Sequence, residues 1–360
     1  MSNDRQGDVI EPIGRQGCSP ATHGGFVCRL SLCVFVILVA LSQAACRAPY
    51  VSWSERTREQ NRSLGLREWP SCVINFRVGG QQSEARGQSV SCPTVMFVHG
   101  AGASMHVWQH IAPVFTRDYR VVLIDLLGSG QSSIPGDDVP LTMKTQGGVI
   151  RELMDHLGGE SWYLVGLSYG GGSVLEAARQ DRLNGAAGPV PRNSSGRIKG
   201  LVVVGAPAFH WTLSPAQQQL DQPLVRCLIP FTSPERIARG ITASSMSQIE
   251  NASEGMVLEL ADDLSRDVAR EALVRRLSEI RRELEGRRGD ADYFSAVRCP
   301  VLLLWGSEDT VVPLEVFTKL TQRLPDVWAA EVFEGSGHSI FKEMPGRSIR
   351  HILDFLQAGE

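Results

Sequence analysis

The sequence predicts an α/β fold in which helices flank a mostly parallel sheet. Three observations carry this. Short, near-continuous Val/Leu/Ile runs recur along the chain, the pattern of strands covered on both faces. Helical stretches with one apolar face fall between those runs. Glycine-rich turns follow several of them, so strand and helix alternate as in a layered α/β protein.

Taken in order, the first feature, after a long stretch that mixes arginines with Asp4, Asp8 and Glu11, is an uncharged apolar run, Leu30 to Leu41. It lies between Arg29 and Arg47 and is followed by Ser42-Gln43-Ala44-Ala45-Cys46. Positive charge, apolar stretch and small residues in that order read as a signal peptide or signal anchor over 1–46. This places the protein in the secretory pathway, secreted or membrane-anchored through residues 30–46. Cleavage near Ala44 or Ala45, lipidation at Cys46 and a retained anchor all stay open. Asn61, Asn193 and Asn251 head three glycosylation sequons. Residues 47–72 are polar and Arg-rich, read as a linker with a short helix.

Val73 to Val78 alternates like a strand, and 79–91 reads as a loop. Buried strands are expected at Thr94–Val98, Arg120–Ile124, Tyr163–Val165, Leu201–Val204 and Val301–Leu304, with a weaker one at Trp328–Phe333. Helices are expected over Gly147–Leu157, from Gly170 onward, over Leu314–Leu324 and over Ser348–Leu356. The segment 182–198 has loop chemistry. Between 207 and 297 no strand is legible. Ser214-Pro215 and Ser233-Pro234 are helix starts there. Asp263 to Glu285 is a long amphipathic pattern through Leu264, Val268, Leu273, Leu277, Ile280 and Leu284. The division is then a core of 73–206 and 298–360, with a helical cap at 207–297.

Composition removes several function classes. The chain is 42% hydrophobic and 21% charged, so neither disordered nor fibrous. Its 36 basic and 39 acidic residues give a net charge of −3, with no surplus to neutralise a phosphate backbone. No nucleic-acid partner is expected. The 8 cysteines have no metal-ligand spacing, and no metal is expected. Cys72 and Cys92 are a candidate bridge in an oxidising compartment.

Gly166-Leu167-Ser168-Tyr169-Gly170 lies between a strand and a helix. A serine on so sharp a turn is lifted above the sheet, and flanking glycines avoid side-chain clashes. A serine hydroxyl needs a base, and the base an orienting carboxylate. Asp309 follows the strand at 301–304, and His338 follows the last strand, in Gly335-Ser336-Gly337-His338-Ser339. The Ser, Asp, His order fits a nucleophile at such an elbow. The amides of Ala101, in Val98-His99-Gly100-Ala101-Gly102-Ala103-Ser104, and of Tyr169 are the candidate oxyanion donors. Glu308 is the alternative acid.

Other candidates have plainer readings. His99 is read as structural, bonding the loop it starts. Asp125 and Ser132 pin a loop near the site. His106, His110 and His210 have no assignable partner. Trp108, Phe209 and Trp211 are candidate substrate-pocket residues, with core packing as the alternative for the last two. The arginines of 281–288 are read as a solvated helix end.

The segments FVHGAGAS, DLLGSGQS (125–132), VGLSYGGG, LLLWGSEDTVVP and GSGHSIFKEMP together resemble the α/β-hydrolase fold family, in the branch with a helical cap after the sixth strand. The resemblance spans about 73–356. It implies an eight-stranded sheet, Ser168 as nucleophile, Asp309 as acid, His338 as base and no cofactor. Many capped relatives carry Met where this chain has Tyr169. The serine excludes the related haloalkane dehalogenase and epoxide hydrolase readings, which need Asp there. The expected function is a serine hydrolase acting on a small-molecule carboxylic ester with an apolar acyl group, small or lipid-like. A C–C bond hydrolase of the ring-cleavage type, an amidase or a thioesterase would use the same triad. A non-catalytic hydrolase-like binding protein is the alternative from another class. Oligomeric state is open.

Overall fold

The computed structural model describes residues 62–80, 92–185, 196–213, 218, 222–248, 250, 252–290 and 292–359. The apolar run at 30–41, Cys46, the sequon asparagines 61, 193 and 251 and the Ser214-Pro215 helix start lie outside the described residues. Among the described residues, no helix is long and apolar enough to cross a membrane.

Eight strands form one sheet: β1 (Arg62–Gly65), β2 (Val73–Gly80), β3 (Thr94–Val98), β4 (Arg120–Asp125), β5 (Trp162–Leu167), β6 (Ile198–Val204), β7 (Val301–Gly306) and β8 (Val327–Phe333). Their order is β1-β2-β4-β3-β5-β6-β7-β8. The β1/β2 and β2/β4 pairs are antiparallel and all others parallel. The Val/Leu runs form strands because both faces are covered. Val95 and Phe97 point into one buried cluster, while Met96 and Val98 point into the other. Successive strand residues face opposite sides, so each central strand feeds two cores.

The covering helices are α1 (Met143–Leu157) and α2 (Tyr169–Gly185) before β6, and α7 (Leu314–Arg323), α8 (Ile340–Glu343) and α9 (Pro345–Ala358) after β7. Thr142 caps α1, its side chain accepting from the Thr145 amide. Between β6 and β7 come α3 (Pro223–Leu228), α4 (Pro234–Ser245), α5 (Glu254–Asp263) and α6 (Asp267–Gly286). Ser233 caps α4 as its Ser-Pro pair suggests, accepting from the Arg236 amide. These inserted helices pack on the loop after β3: Ala238, Val257, Leu260, Leu264 and Leu273 enclose Ala103. Arg287, just past α6, is buried rather than part of a solvated helix end as expected, and ties these helices to α2 through ion pairs of 2.5 Å to Glu176 and 2.5 Å to Glu283.

Four further expectations change. The supposed linker holds the edge strand β1, and no helix is found in its described part, 62–72. Its four residues are mostly exposed and lack the apolar alternation that marks a strand. The amphipathic stretch 263–285 is two helices, broken at Leu264 to Arg266. In the supposed loop 182–198, α2 runs to Gly185 and β6 starts at Ile198. Cys72 and Cys92 are both free thiols: Cys72 sits in the core under the sheet, and Cys92 Sγ contacts the Asp118 carbonyl.

Candidate active site

Ser168 stands between the end of β5 and the first turn of α2. Its φ of 55° makes it the one non-glycine residue at positive φ among the described residues. An L side chain pays about 1–2 kcal/mol for that conformation, so surrounding contacts must hold it. The Ser168 N–H donates to the Val204 carbonyl (2.7 Å), and Ser168 O accepts from Gly172 N–H (3.1 Å). The turn is tight enough that a Cβ at Gly166 would lie 2.5 Å from the Gly170 carbonyl oxygen. The α2 N-terminus begins at the next residue, placing its positive dipole end beside the hydroxyl.

Asp309 and His338 come together from the loops after β7 and β8. The His338 Nδ1 to Asp309 Oδ2 distance is 2.7 Å. Asp309 Oδ1 accepts from Val311 N–H (2.9 Å) and Val312 N–H (2.8 Å), which fixes the carboxylate plane. An ionised carboxylate only accepts, so the neutral imidazole carries its proton on Nδ1 and a lone pair on Nε2. Glu308, the alternative acid, points to solvent.

The two halves of the site meet at the end of β6. Val204 accepts from Ser168 N–H, and the next residue, Gly205 (φ 54°), lies under the imidazole. A Cβ at Gly205 would stand 2.8 Å from His338 Cε1 and 3.2 Å from Asp309 Oδ2. Only glycine allows the ring to lie against this backbone corner. On the opposite side, Gly100 faces the nucleophile: a Cβ there would sit 3.2 Å from Ser168 Cβ and 3.8 Å from Ser168 Oγ. The Ala101 amide thus follows a residue packed against the serine, and the Tyr169 amide follows the serine itself.

The loop carrying Ala101 is held by buried polar groups. His99 Nε2 accepts from Leu126 N–H (3.0 Å), and Nδ1–H donates to the Gly100 carbonyl (2.8 Å). Complete burial pushes this imidazole down to about 3, so it is neutral and has no lone pair to spare. Asp125 accepts from Met105 N–H (2.8 Å), Gln131 N–H (2.9 Å) and Asn75 Nδ2 (2.8 Å), while Ser132 Oγ donates to the Asp125 carbonyl (2.6 Å). Burial raises the Asp125 pKa despite these donors. Tyr169 is fully buried, its hydroxyl donating to the Leu141 carbonyl (2.6 Å), and burial pushes its phenol up. Its side chain is an anchor.

Of the three aromatic candidates, Trp108 and Phe209 are buried and Trp211 is half-buried. Trp108 is 0% exposed, packed 5.2 Å from Phe97 and 4.9 Å from Phe341 by ring centroid. Core packing accounts for this placement, since a large apolar side chain is stabilised as readily by core as by ligand. Phe209 is buried against Phe294 at 5.6 Å, with Arg323 over its other face at 4.9 Å. Trp211 is half-buried against the same core. Two histidines without assigned partners have them: His106 lies 3.4 Å from Asp263, and His210 lies 2.9 Å from Glu285. Glu343 and Gly205 escaped the sequence reading. The signal for Glu343 was its place in the His338 segment, where it accepts from Gly337 N–H (2.8 Å).

Comparison with known proteins agrees with this architecture. An uncharacterized protein of Mycobacterium tuberculosis is 28% identical over 84% of this chain and 86% of its own. A 2-hydroxy-6-oxononadienedioate/2-hydroxy-6-oxononatrienedioate hydrolase of Cupriavidus pinatubonensis is 25% identical over 73% of this chain and 86% of its own. Among solved structures, a thermophilic esterase from Thermogutta terrifontis superposes with a TM-score of 0.64 and 22% identity, covering 84% of this chain and 99% of that one. The family model for the alpha/beta hydrolase fold matches residues 93–345. That match covers well over half of the chain and holds β3 to β8 of the sheet, and the chain belongs to the α/β-hydrolase fold family.

Proposed function

We propose that the protein is a serine hydrolase that cleaves a carboxylic ester through an acyl-enzyme intermediate. The observation that carries this is Ser168 held at φ 55° beside a corner that also seats the bonded His338–Asp309 pair. His338 Nε2 takes the Ser168 proton as Oγ attacks the ester carbonyl. The tetrahedral oxyanion is received by the Ala101 and Tyr169 amides, each such donor contributing about 3 kcal/mol. The imidazolium, steadied by Asp309, then protonates the departing alcohol. Water enters, gives its proton to His338, attacks the acyl carbonyl, and Ser168 leaves with the proton back on Oγ. No step needs a cofactor.

The helices between β6 and β7 serve as the cap, closing an apolar substrate space over the elbow. Residues 1–46 direct the chain to the secretory pathway, a reading tested by the mass of the mature N-terminus.

A second reading is hydrolysis of a C–C bond in a vinylogous 1,5-diketone on the same residues. It is favoured by the 25% identity to the oxononadienedioate hydrolase. A panel of short- and long-chain esters, thioesters, amides and such diketones separates the two. Ester turnover that vanishes in Ser168→Ala supports the proposal. Turnover of the diketone alone overturns it in favour of the second reading.

A further inference from the structure

The short helix after His338 ends in an acid whose two oxygens serve different parts of the chain. Glu343 Oε2 accepts from Gly337 N–H (2.8 Å) and Ser336 Oγ (2.9 Å), both in the loop that carries His338. Glu343 Oε1 accepts from Ser247 N–H (2.8 Å), two residues past α4 in the inserted segment. Ser247 Oγ lies 2.7 Å from that same oxygen and 2.7 Å from the Gly335 carbonyl, its single proton serving one acceptor at a time. The junction is stitched twice more. Ser339 N–H donates to the Ser245 carbonyl (2.8 Å), and Thr310 Oγ1, beside Asp309, donates to the Ser244 carbonyl (3.1 Å).

Ser247 N–H, Gly337 N–H and Ser336 Oγ donate to one carboxylate, and Ser247 Oγ is a fourth donor whenever its proton is not on the Gly335 carbonyl. The ionised form, which accepts everywhere, takes all of them at once. Burial works against that charge, but the hydrogen bonds from Ser247, Gly337 and Ser336 outweigh it and hold the carboxyl below its ordinary range. The packing leaves little play: a Cβ at Gly337 would stand 2.8 Å from the Ser247 nitrogen.

We propose that Glu343 is a positioning residue that holds the His338 loop in register with Asp309 and Ser168, and that makes this register depend on the seating of the inserted helices through Ser247. The inference rests on the triad reading above. Glu343 touches neither substrate nor reacting atoms. It acts through Ser336 and Gly337, the two residues preceding the imidazole.

Glu343→Gln tests it. The amide has one acceptor oxygen and turns N–H groups toward donors on the other side, so one half of the clamp opens. A displaced base should lower kcat roughly 10–100-fold with KM within about twofold. Reaction with a fluorophosphonate should slow by a similar factor. Ser247→Ala opens the clamp from the inserted segment and should lower kcat about threefold alone, and little further in the Glu343→Gln background, since coupled positions are non-additive. Unchanged kcat in Glu343→Gln overturns the inference, as does full additivity of the two losses. If Glu343→Gln does not fold, Ser247→Ala decides alone, and unchanged kcat there overturns the inference. Wild-type labelling that is absent in Ser168→Ala establishes the nucleophile separately. Its absence in the wild type brings down the triad reading and this inference with it.

Discussion

Lowering the pH from 7.5 to 5.0 should cost this fold about 2 kcal/mol at a single buried imidazole, His99. In the native protein its ring is neutral, donating to the Gly100 carbonyl and accepting from the Leu126 amide, and burial holds its pKa at about 3 against an ordinary 6.5. A group whose folded pKa is depressed contributes stability above its unfolded pKa and loses it as the pH falls toward the folded value. The window here runs from 6.5 down to about 3. At pH 5 the unfolded chain has protonated this side chain and the folded one has not, and the difference integrates to about 2 kcal/mol. The matched perturbation is His99→Asn, whose amide keeps a donor and an acceptor but does not titrate. Urea unfolding of both proteins at both pH values isolates the effect, because all other titrating groups are shared. The wild type should lose about 2 kcal/mol more than the variant between the two conditions. Parallel losses would refute the assignment of a neutral, buried His99 beneath the candidate oxyanion loop.

Trp108→Ala should destabilise the protein by about 3–5 kcal/mol, the cost of emptying a fully buried aromatic site, with KM for an ester unchanged; unfolding and steady-state kinetics check this, and a KM change without stability loss would support the pocket role. Ser168→Gly should be about 1 kcal/mol more stable than Ser168→Ala, because only glycine relieves the left-handed backbone at φ 55°. Denaturant unfolding of the two variants compares them directly, and equal stability would argue that the elbow is unstrained.

The sequence reveals most where one physical requirement dominates. A strand covered on both faces must be apolar throughout, which made β3, β4 and β7 legible almost to the residue. The elbow was legible because a serine at positive φ needs the glycines that flank it. The order of Ser168, Asp309 and His338 was legible because each follows a recognisable strand. Strand β1 was missed because an exposed four-residue edge carries no such constraint. The partners of His106 and His210 were invisible, since Asp263 and Glu285 reach them through the packing of distant helices. Aromatic type could not separate core from pocket at Trp108, as burial stabilises both. Glu343 stood in a recognised segment, but its donors come from two separate stretches of chain that only folding brings together.

The most direct test of the central claim is the site and rate of covalent capture by a fluorophosphonate, read by intact mass and peptide mapping. The account predicts one adduct, on Ser168, with capture slowed by roughly 10³-fold or more in His338→Ala. A folded protein that gains no mass, an adduct elsewhere, or a His338→Ala variant captured at the wild-type rate would contradict it.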